Sequence, residues 1–198
     1  MTQRVRSAFP ITWVPPWTTG RKYGQQSVGT HSTLTNINST LYSVPVYVPN
    51  QAGVTATVIG IEEVTAAGSA LLARLGIYHD NGGRPGDLLL DAGTVALDTA
   101  SPPVFLNKSI SQFLHQGWYW LALQANGGTG TIRAYASGAH FALMSRTDEL
   151  GTGNNPLGVI ASPGATLGPR YVAAGLPGQF PTTGRPSHVT VPWVYLEI

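Results

Sequence analysis

Residues 73–93 read ARLGIYHDNGGRPGDLLLDAG, and no other stretch restricts the fold of this chain so strongly. Leu71, Ala73, Leu75 and Ile77 alternate onto one face of an extended segment, the two-residue period of a strand. Asp80 and Asn81 then tolerate left-handed backbone, Gly82 and Gly83 adopt it freely, and Pro85-Gly86 adds a further bend. A second apolar run, 88–97, follows with a kink expected at Ala92-Gly93. This is strand, glycine-proline turn, strand, and helix has no place in it.

The same punctuation recurs along the chain. Residues 40–49 alternate, with Leu41, Val44, Val46 and Val48 among polar or aromatic positions, and Pro45 and Pro49 point to an edge strand. In 54–64, Thr55, Thr57, Ile59 and Ile61 are expected to oppose Ala56 and Val58. Residues 62–72 are read as strand–turn–strand, not helix, because Gly68-Ser69 interrupts them. Further strands are expected at 103–110, 117–124, 131–137 and 139–144. A last strand, 189–198, is expected to re-enter beside an early one. Residues 145–188 hold eight glycines and six prolines together with Leu157, Val159, Ile160, Leu176 and Phe180. A structureless loop of that length is rare in a compact domain, so the segment is read as folding over a sheet or onto a symmetry mate.

The first thirty residues lack either regular period, and Pro10, Pro15 and Pro16 break both helix and central strand. Their Trp13, Val14 and Trp17 would cost roughly 1.5–3 kcal/mol each if left in water. They are expected on this domain or on a neighbouring chain. The expected fold is all-β: an antiparallel β-sandwich, jelly-roll-like, with an extended N-terminal arm over 1–35. The sandwich occupies 36–198, with the 145–188 loop before the last strand.

Composition agrees with many short strands. Charged residues are 10% of the chain, against a usual share of about 25%. The hydrophobic share is 42% and the net charge +2, which argues against disorder. Cysteine is absent, so disulfides and thiolate metal sites are excluded. The N-terminus shows no signal-peptide pattern, and no run approaches the roughly 20 apolar residues of a membrane helix. No membrane insertion is therefore expected. Residues 1–61 carry Arg4, Arg6, Arg21 and Lys22 and no acid, whereas the remainder is net acidic. These dispersed cations suit an acidic protein neighbour better than nucleic acid, which calls for a clustered basic stripe.

Catalytic chemistry finds little support. Glu62 and Glu63 are adjacent, and neighbours on a strand point to opposite faces, whereas a glycosidase needs two carboxyls across one cleft. Asp80, Asn81, Asp87 and Asp91 could offer oxygens to calcium, but they lack the order of a known calcium loop, and backbone turn chemistry alone accounts for them. His31, His79, His115, His140 and His188 are scattered. No nucleophile elbow or phosphate loop is present, and no cofactor or metal is expected. Trp118 and Trp120 share one strand face, with Tyr119 on the other. They are read as core or as a covered sheet face, with a sugar-stacking platform as the alternative; Trp193 is open to the same two readings.

The order YGQQSVGTHSTLT, LYSVPVYVP, ARLGIYHDNGGRPGDLLLDAGTV and GWYWLALQ, spanning roughly 20–136, resembles a β-rich domain of tailed-bacteriophage virion proteins, tail-fibre and minor tail proteins among them. The resemblance implies a non-enzymatic structural or adhesive role within a virion, assembled in the host cytoplasm as a homo-oligomer, with a trimer favoured. Partners would be other virion proteins and a host-surface glycan. On this reading Trp13, Val14, Trp17, Arg21 and Lys22 are the expected assembly contacts. Asn154, Asn155, Arg170 and Tyr171 are the expected receptor contacts. The alternative is a free carbohydrate-binding β-sandwich module.

Overall fold

The computed structural model describes residues 15–24, 31–35, 41–66, 71–97, 102–126, 130–135, 159–161, 174–181, 185–186 and 191–198. Their strands are β1 (Lys22–Gly24), β2 (His31–Thr35), β3 (Leu41–Val48), β4 (Val54–Thr65), β5 (Leu72–Asp80), β6 (Pro85–Ala96) and β7 (Val104–Leu114). They continue with β8 (Gly117–Ala125), β9 (Thr131–Tyr135), β10 (Val159–Ala161), β11 (Arg185–Pro186), β12 (Val191–Pro192) and β13 (Val194–Glu197). Two antiparallel sheets result. The first contains β1, β13, β4, β9 and β12, with β7 added beside β4 and β2 beside β9. The second runs β11-β10-β3-β8-β5-β6. From β3 to β9 the chain changes sheet at each connection except the β5–β6 hairpin.

The sheets pack face to face as a β-sandwich, burying the alternating apolar positions of both. Val44, Val46 and Val48 of β3, Leu75 and Ile77 of β5, and Leu121 and Leu123 of β8 meet Ile59 and Ile61 of β4 and Val194 and Leu196 of β13. Each such side chain contributes roughly 1.5–3 kcal/mol on leaving water. β3 is not the edge strand that Pro45 and Pro49 suggested, because it lies between β8 and β10; Pro45 pairs with Trp120 of β8 but stands beyond β10, which reaches only residues 41–43, so the strand is locally an edge on that side.

Two register shifts matter. In β6, Leu75 pairs with Gly93 and Gly76 with Asp91, so Ala92 is left without an opposite residue; Gly93 takes φ 84° there, and the expected kink is a β-bulge. In β4, the pairing with β7 shifts between Ala56 and Val58. That shift corrects the expected faces: Thr55 and Thr57 are exposed, while Ala56, Ile59 and Ile61 are buried together.

The C-terminal segment is a wedge. Β-strand 4 and β9 pair at Glu63–Ile132 and Thr65–Thr131, and beyond that point the last residues of the chain lie between them. Pro192 pairs with Ala134 of β9, whereas Tyr195 pairs with Gly60 of β4. β1 then pairs with the other side of β13. Within the segment read as an arm, β1 and β2 are thus strands of the first sheet.

The second sheet carries its own cover. Within the segment read as a long loop, β10 and β11 extend this sheet at the β3 edge, and residues 174–181 lie across its outer face. Leu176 and Phe180 bury Leu41, Tyr78, Trp120 and Ala122. The backbone is stitched down by Leu88 N–H to Gly178 O at 2.8 Å and Phe180 N–H to Gly86 O at 2.9 Å. The Tyr78 hydroxyl donates to Pro177 O at 2.9 Å. Among the described residues no helix is long and apolar enough to cross a membrane.

Candidate binding face

The outer face of the first sheet is built differently. Tyr195 of β13 and Trp193, the residue just before that strand, lie on the outside, because Val194 and Leu196 point into the core. Tyr195 lies over Gly60, where a β-carbon would come within 2.6 Å of its hydroxyl oxygen. Trp193 lies over Gly24, where a β-carbon would meet its Nε1 at 2.6 Å. Glycine at these two strand positions is what lets the rings settle onto the backbone.

Phe105 of β7 stands edge-on to both rings, its centroid 5.7 Å from Tyr195 at 89° and 6.2 Å from Trp193 at 73°. Trp193 and Tyr195 lie 5.2 Å apart at 42°. Edge-to-face packing of this kind satisfies the ring quadrupoles. Tyr195 is buried as the floor, Trp193 is half-buried, and Phe105 is 46% exposed.

Polar groups frame the rings. The Tyr195 hydroxyl donates to Asn107 Oδ1 at 2.5 Å. Burial, reinforced by the nearby Glu197 and Glu62 charges, holds that phenol protonated well above the ordinary tyrosine range. Lys22 Nζ pairs with Glu197 and sits 4.5 Å from the Phe105 centroid and 5.3 Å from that of Tyr195, a cation–π contact on each. Arg133 grips Glu62 with two bonds, Nε to Oε2 at 3.0 Å and Nη2 to Oε1 at 2.8 Å. Each cation is matched to an anion. The face therefore offers apolar surface bordered by neutral hydrogen-bonding capacity, not a field for phosphate or another strongly charged ligand.

The residues singled out in the sequence are distributed as follows. Trp17 stacks on Tyr23 at 4.6 Å and is buried in the core of its own chain, so its ring is not a surface that a neighbour can use. Lys22 joins the aromatic face, and Arg21 is exposed in the preceding turn. Trp13, Val14, Asn154, Asn155, Arg170 and Tyr171 lie outside the described residues. Trp120 is buried beneath the cover, its Nε1 donating to Asp80 Oδ1 at 2.8 Å, while Trp118 is half-buried against Tyr47. The sugar platform considered for Trp118 and Trp120 is therefore not available as a pair. Glu62 and Glu63 do diverge: Glu62 meets Arg133 outside, and Glu63 is fully buried inside.

The acids around the hairpin are dispersed. Asp80 accepts from Gly83 N–H and Trp120, and Asp91 accepts from Arg74, Gly93 and Leu176. Asn81 and Asp87 face solvent. Among the described residues no three histidine, aspartate or glutamate side chains form a metal-holding group.

Phe105 was not singled out in the sequence. Its signal is the exposed register of β7, where Phe105, Asn107, Ser109, Ser111 and Phe113 alternate with inward residues and phenylalanine appears twice among polar neighbours. Gly60 in the middle of a strand is the companion signal of close approach. No protein-family model matches the chain, and no curated protein matches it.

Proposed function

We propose that this chain is a non-enzymatic structural protein of a tailed-bacteriophage virion, a tail-fibre, tail-tip or capsid-attached fibre component, acting in assembly and host adhesion. The observation that carries the binding part of this reading is the asymmetry of the two outer faces. The second sheet is sealed by residues 174–181, whereas the first leaves Phe105, Trp193 and Lys22 accessible over rigid strands. Preorganised aromatic side chains with a polar border are the usual anchors of a protein interface. Glu62, engaged by Arg133, and Glu63, on the opposite face, supply no acid–base pair. The virion assignment itself rests on the sequence resemblance. Antibodies raised against the chain should label particles released from cells carrying its gene. A label confined to free protein, with none on particles, overturns the virion reading.

A carbohydrate-binding module is the second reading, favoured by Trp193 and Phe105 beside Asn107 and the Glu62–Arg133 fork. It predicts glycan-array binding by the full chain that disappears in Trp193→Ala and persists in Trp118→Ala. Binding that survives Trp193→Ala excludes this face as the sugar site.

A further inference from the structure

We infer that Asn81 is a self-modification site, at which the backbone nitrogen of Gly82 closes onto the side-chain amide and converts the residue to aspartate or isoaspartate with release of ammonia. Asparagine before glycine is the pair in which this ring closure meets least hindrance, because no β-carbon shields the attacking nitrogen. The chain holds two such pairs, Asn81-Gly82 and Asn126-Gly127. The fold treats them differently. Asn81, Gly82, Gly83 and Arg84 are all exposed at the tip of the β5–β6 hairpin. Gly82 takes φ 64° there, and nothing lies within 4 Å of the place its β-carbon would occupy. The left-handed turn that calls for glycine thus also supplies an unhindered nitrogen. The tip is closed by Asn81 N–H to Arg84 O at 2.7 Å and by Gly83 N–H to the Asp80 carboxylate at 3.1 Å. Those bonds use the nitrogens on either side of Gly82. Among the described residues no hydrogen bond engages the Gly82 N–H or the Asn81 side-chain amide.

Asn126, by contrast, is clamped to β5. Its Oδ1 accepts from Leu72 N–H at 2.8 Å, and its own N–H donates to Leu72 O at 3.1 Å. Bringing its side chain onto the following nitrogen breaks the first of these bonds. At Asn81 no such bond stands in the way, and the step balances with water alone. Hydroxide takes the Gly82 amide proton, the nitrogen's electron pair forms a bond to Cγ of Asn81, and the bond from Cγ to Nδ2 breaks. The departing nitrogen takes a proton from water, leaves as ammonia and regenerates the hydroxide. Water then opens the resulting imide. Cleavage at Cγ restores the backbone and leaves aspartate; cleavage at the backbone carbonyl routes the chain through Cβ and Cγ and leaves isoaspartate. Either product sets a carboxylate beside Asp80 and lowers the net charge from +2 to +1. Isoaspartate also lengthens the backbone of a tip whose Asp80 carboxylate serves both Gly83 N–H and Trp120 Nε1. The inference requires only this hairpin and does not depend on the virion assignment.

The test is to incubate the full chain in mildly alkaline buffer, both folded and in urea, and to map its peptides by mass spectrometry with fragmentation that separates aspartate from isoaspartate. In the folded chain Asn81 should convert roughly tenfold faster than Asn126, the factor expected when one of two like reactions must first break a hydrogen bond. In urea the two should convert at similar rates. Isoaspartate at position 81 marks the imide route, since direct hydrolysis of the side-chain amide gives aspartate alone. Isoelectric focusing should show an acidic form that accumulates with time and faster at higher pH. Asn81→Gln, whose longer side chain closes the ring poorly, should not form it. Asn126 converting as fast as Asn81 in the folded chain overturns the inference, and so does an Asn81 that stays intact while the chain is folded. An acidic form that builds up equally in Asn81→Gln overturns it as well.

Discussion

The backbone N–H of Leu176 donates to Oδ2 of Asp91 at 3.0 Å, a contact that spans 85 residues and ties the cover segment to the kinked strand β6. Arg74 Nε holds the same carboxylate at 2.8 and 2.9 Å, and Gly93 N–H adds a bond at 3.0 Å. Burial pushes the Asp91 carboxyl up, but these hydrogen bonds and the Arg74 charge outweigh it, and the group sits below its ordinary value. A lowered carboxyl contributes stability above its unfolded value of about 3.9 and loses it as pH falls through the folded value. Asp91→Ala should therefore loosen residues 174–181 at neutral pH and remove an acid-dependent step below about pH 4. The measurement is acrylamide quenching of Trp120 in a chain whose other tryptophans are replaced by phenylalanine. Equal quenching in the parent and Asp91→Ala at neutral pH would contradict this anchoring role.

Gly76 lies directly beneath the same cover. A β-carbon there would approach Leu176 Cδ1 to 2.3 Å and the Leu90 carbonyl oxygen to 2.7 Å. Leu176 can rotate away, but the Leu90 backbone cannot move without disturbing the β5–β6 ladder. Gly76→Ala should cost about 1–3 kcal/mol, the usual penalty of overpacking. Urea unfolding should show a lower midpoint at an unchanged slope, and a midpoint equal to the parent's would mean that the ladder yields freely.

The strands from β3 to β9 are legible because each shows its own period of two or its own turn residues. Gly82-Gly83 and Ala92-Gly93 announced a hairpin and a kink, and the backbone uses left-handed glycine at both. The switch of faces in β4 was hidden, since threonine at 55 and 57 continues the apparent alternation into Ile59 while the pairing with β7 shifts register. The aromatic face was harder still. Phe105 is a plausible core residue in isolation, and only the placement of β13 between β1 and β4 brings Tyr195 and Trp193 beside it. Trp17 was left open between its own domain and a neighbouring chain. Its proline-rich setting carries no period that would choose between them, and long-range bonds to Asn50, from Trp17 N–H at 2.8 Å and to Trp17 O at 3.2 Å, fold it back onto its own domain.

That placement gives Trp17 a structural signature distinct from an assembly role. Removing a buried tryptophan typically costs about 3–5 kcal/mol, because transfer energy and packing are lost together. Trp17→Ala should lower stability by that order in chemical denaturation, with the loss present even in dilute protein. Asn50→Ala should leave the ring in place but weaken its hold, making Arg21 and Lys22 more susceptible to trypsin. A Trp17→Ala chain of parental stability but reduced oligomer mass would return this residue to the subunit interface.

Tyr119, Tyr135 and Tyr195 should resist base. Burial raises the phenols of Tyr119, Tyr135 and Tyr195; a hydrogen bond from His115 opposes the effect at Tyr119, and the Glu197 and Glu62 charges strengthen it at Tyr195. A phenol raised in the folded state keeps its proton while the unfolded chain ionises at about pH 10. Its contribution to stability is therefore complete below that pH and is lost as pH rises through the folded value. In a tyrosinate absorbance titration these three should ionise only with the loss of near-ultraviolet circular dichroism. Tyr195→Phe should behave differently on the two sides of pH 10. At neutral pH it loses the bond to Asn107 and costs about 0.5–1.5 kcal/mol. In base it should lose less stability than the parent over the same pH interval, because the phenylalanine ring has no proton to surrender. If Tyr195→Phe and the parent fall in parallel from neutral pH into base, the Tyr195 phenol is not held protonated by the fold.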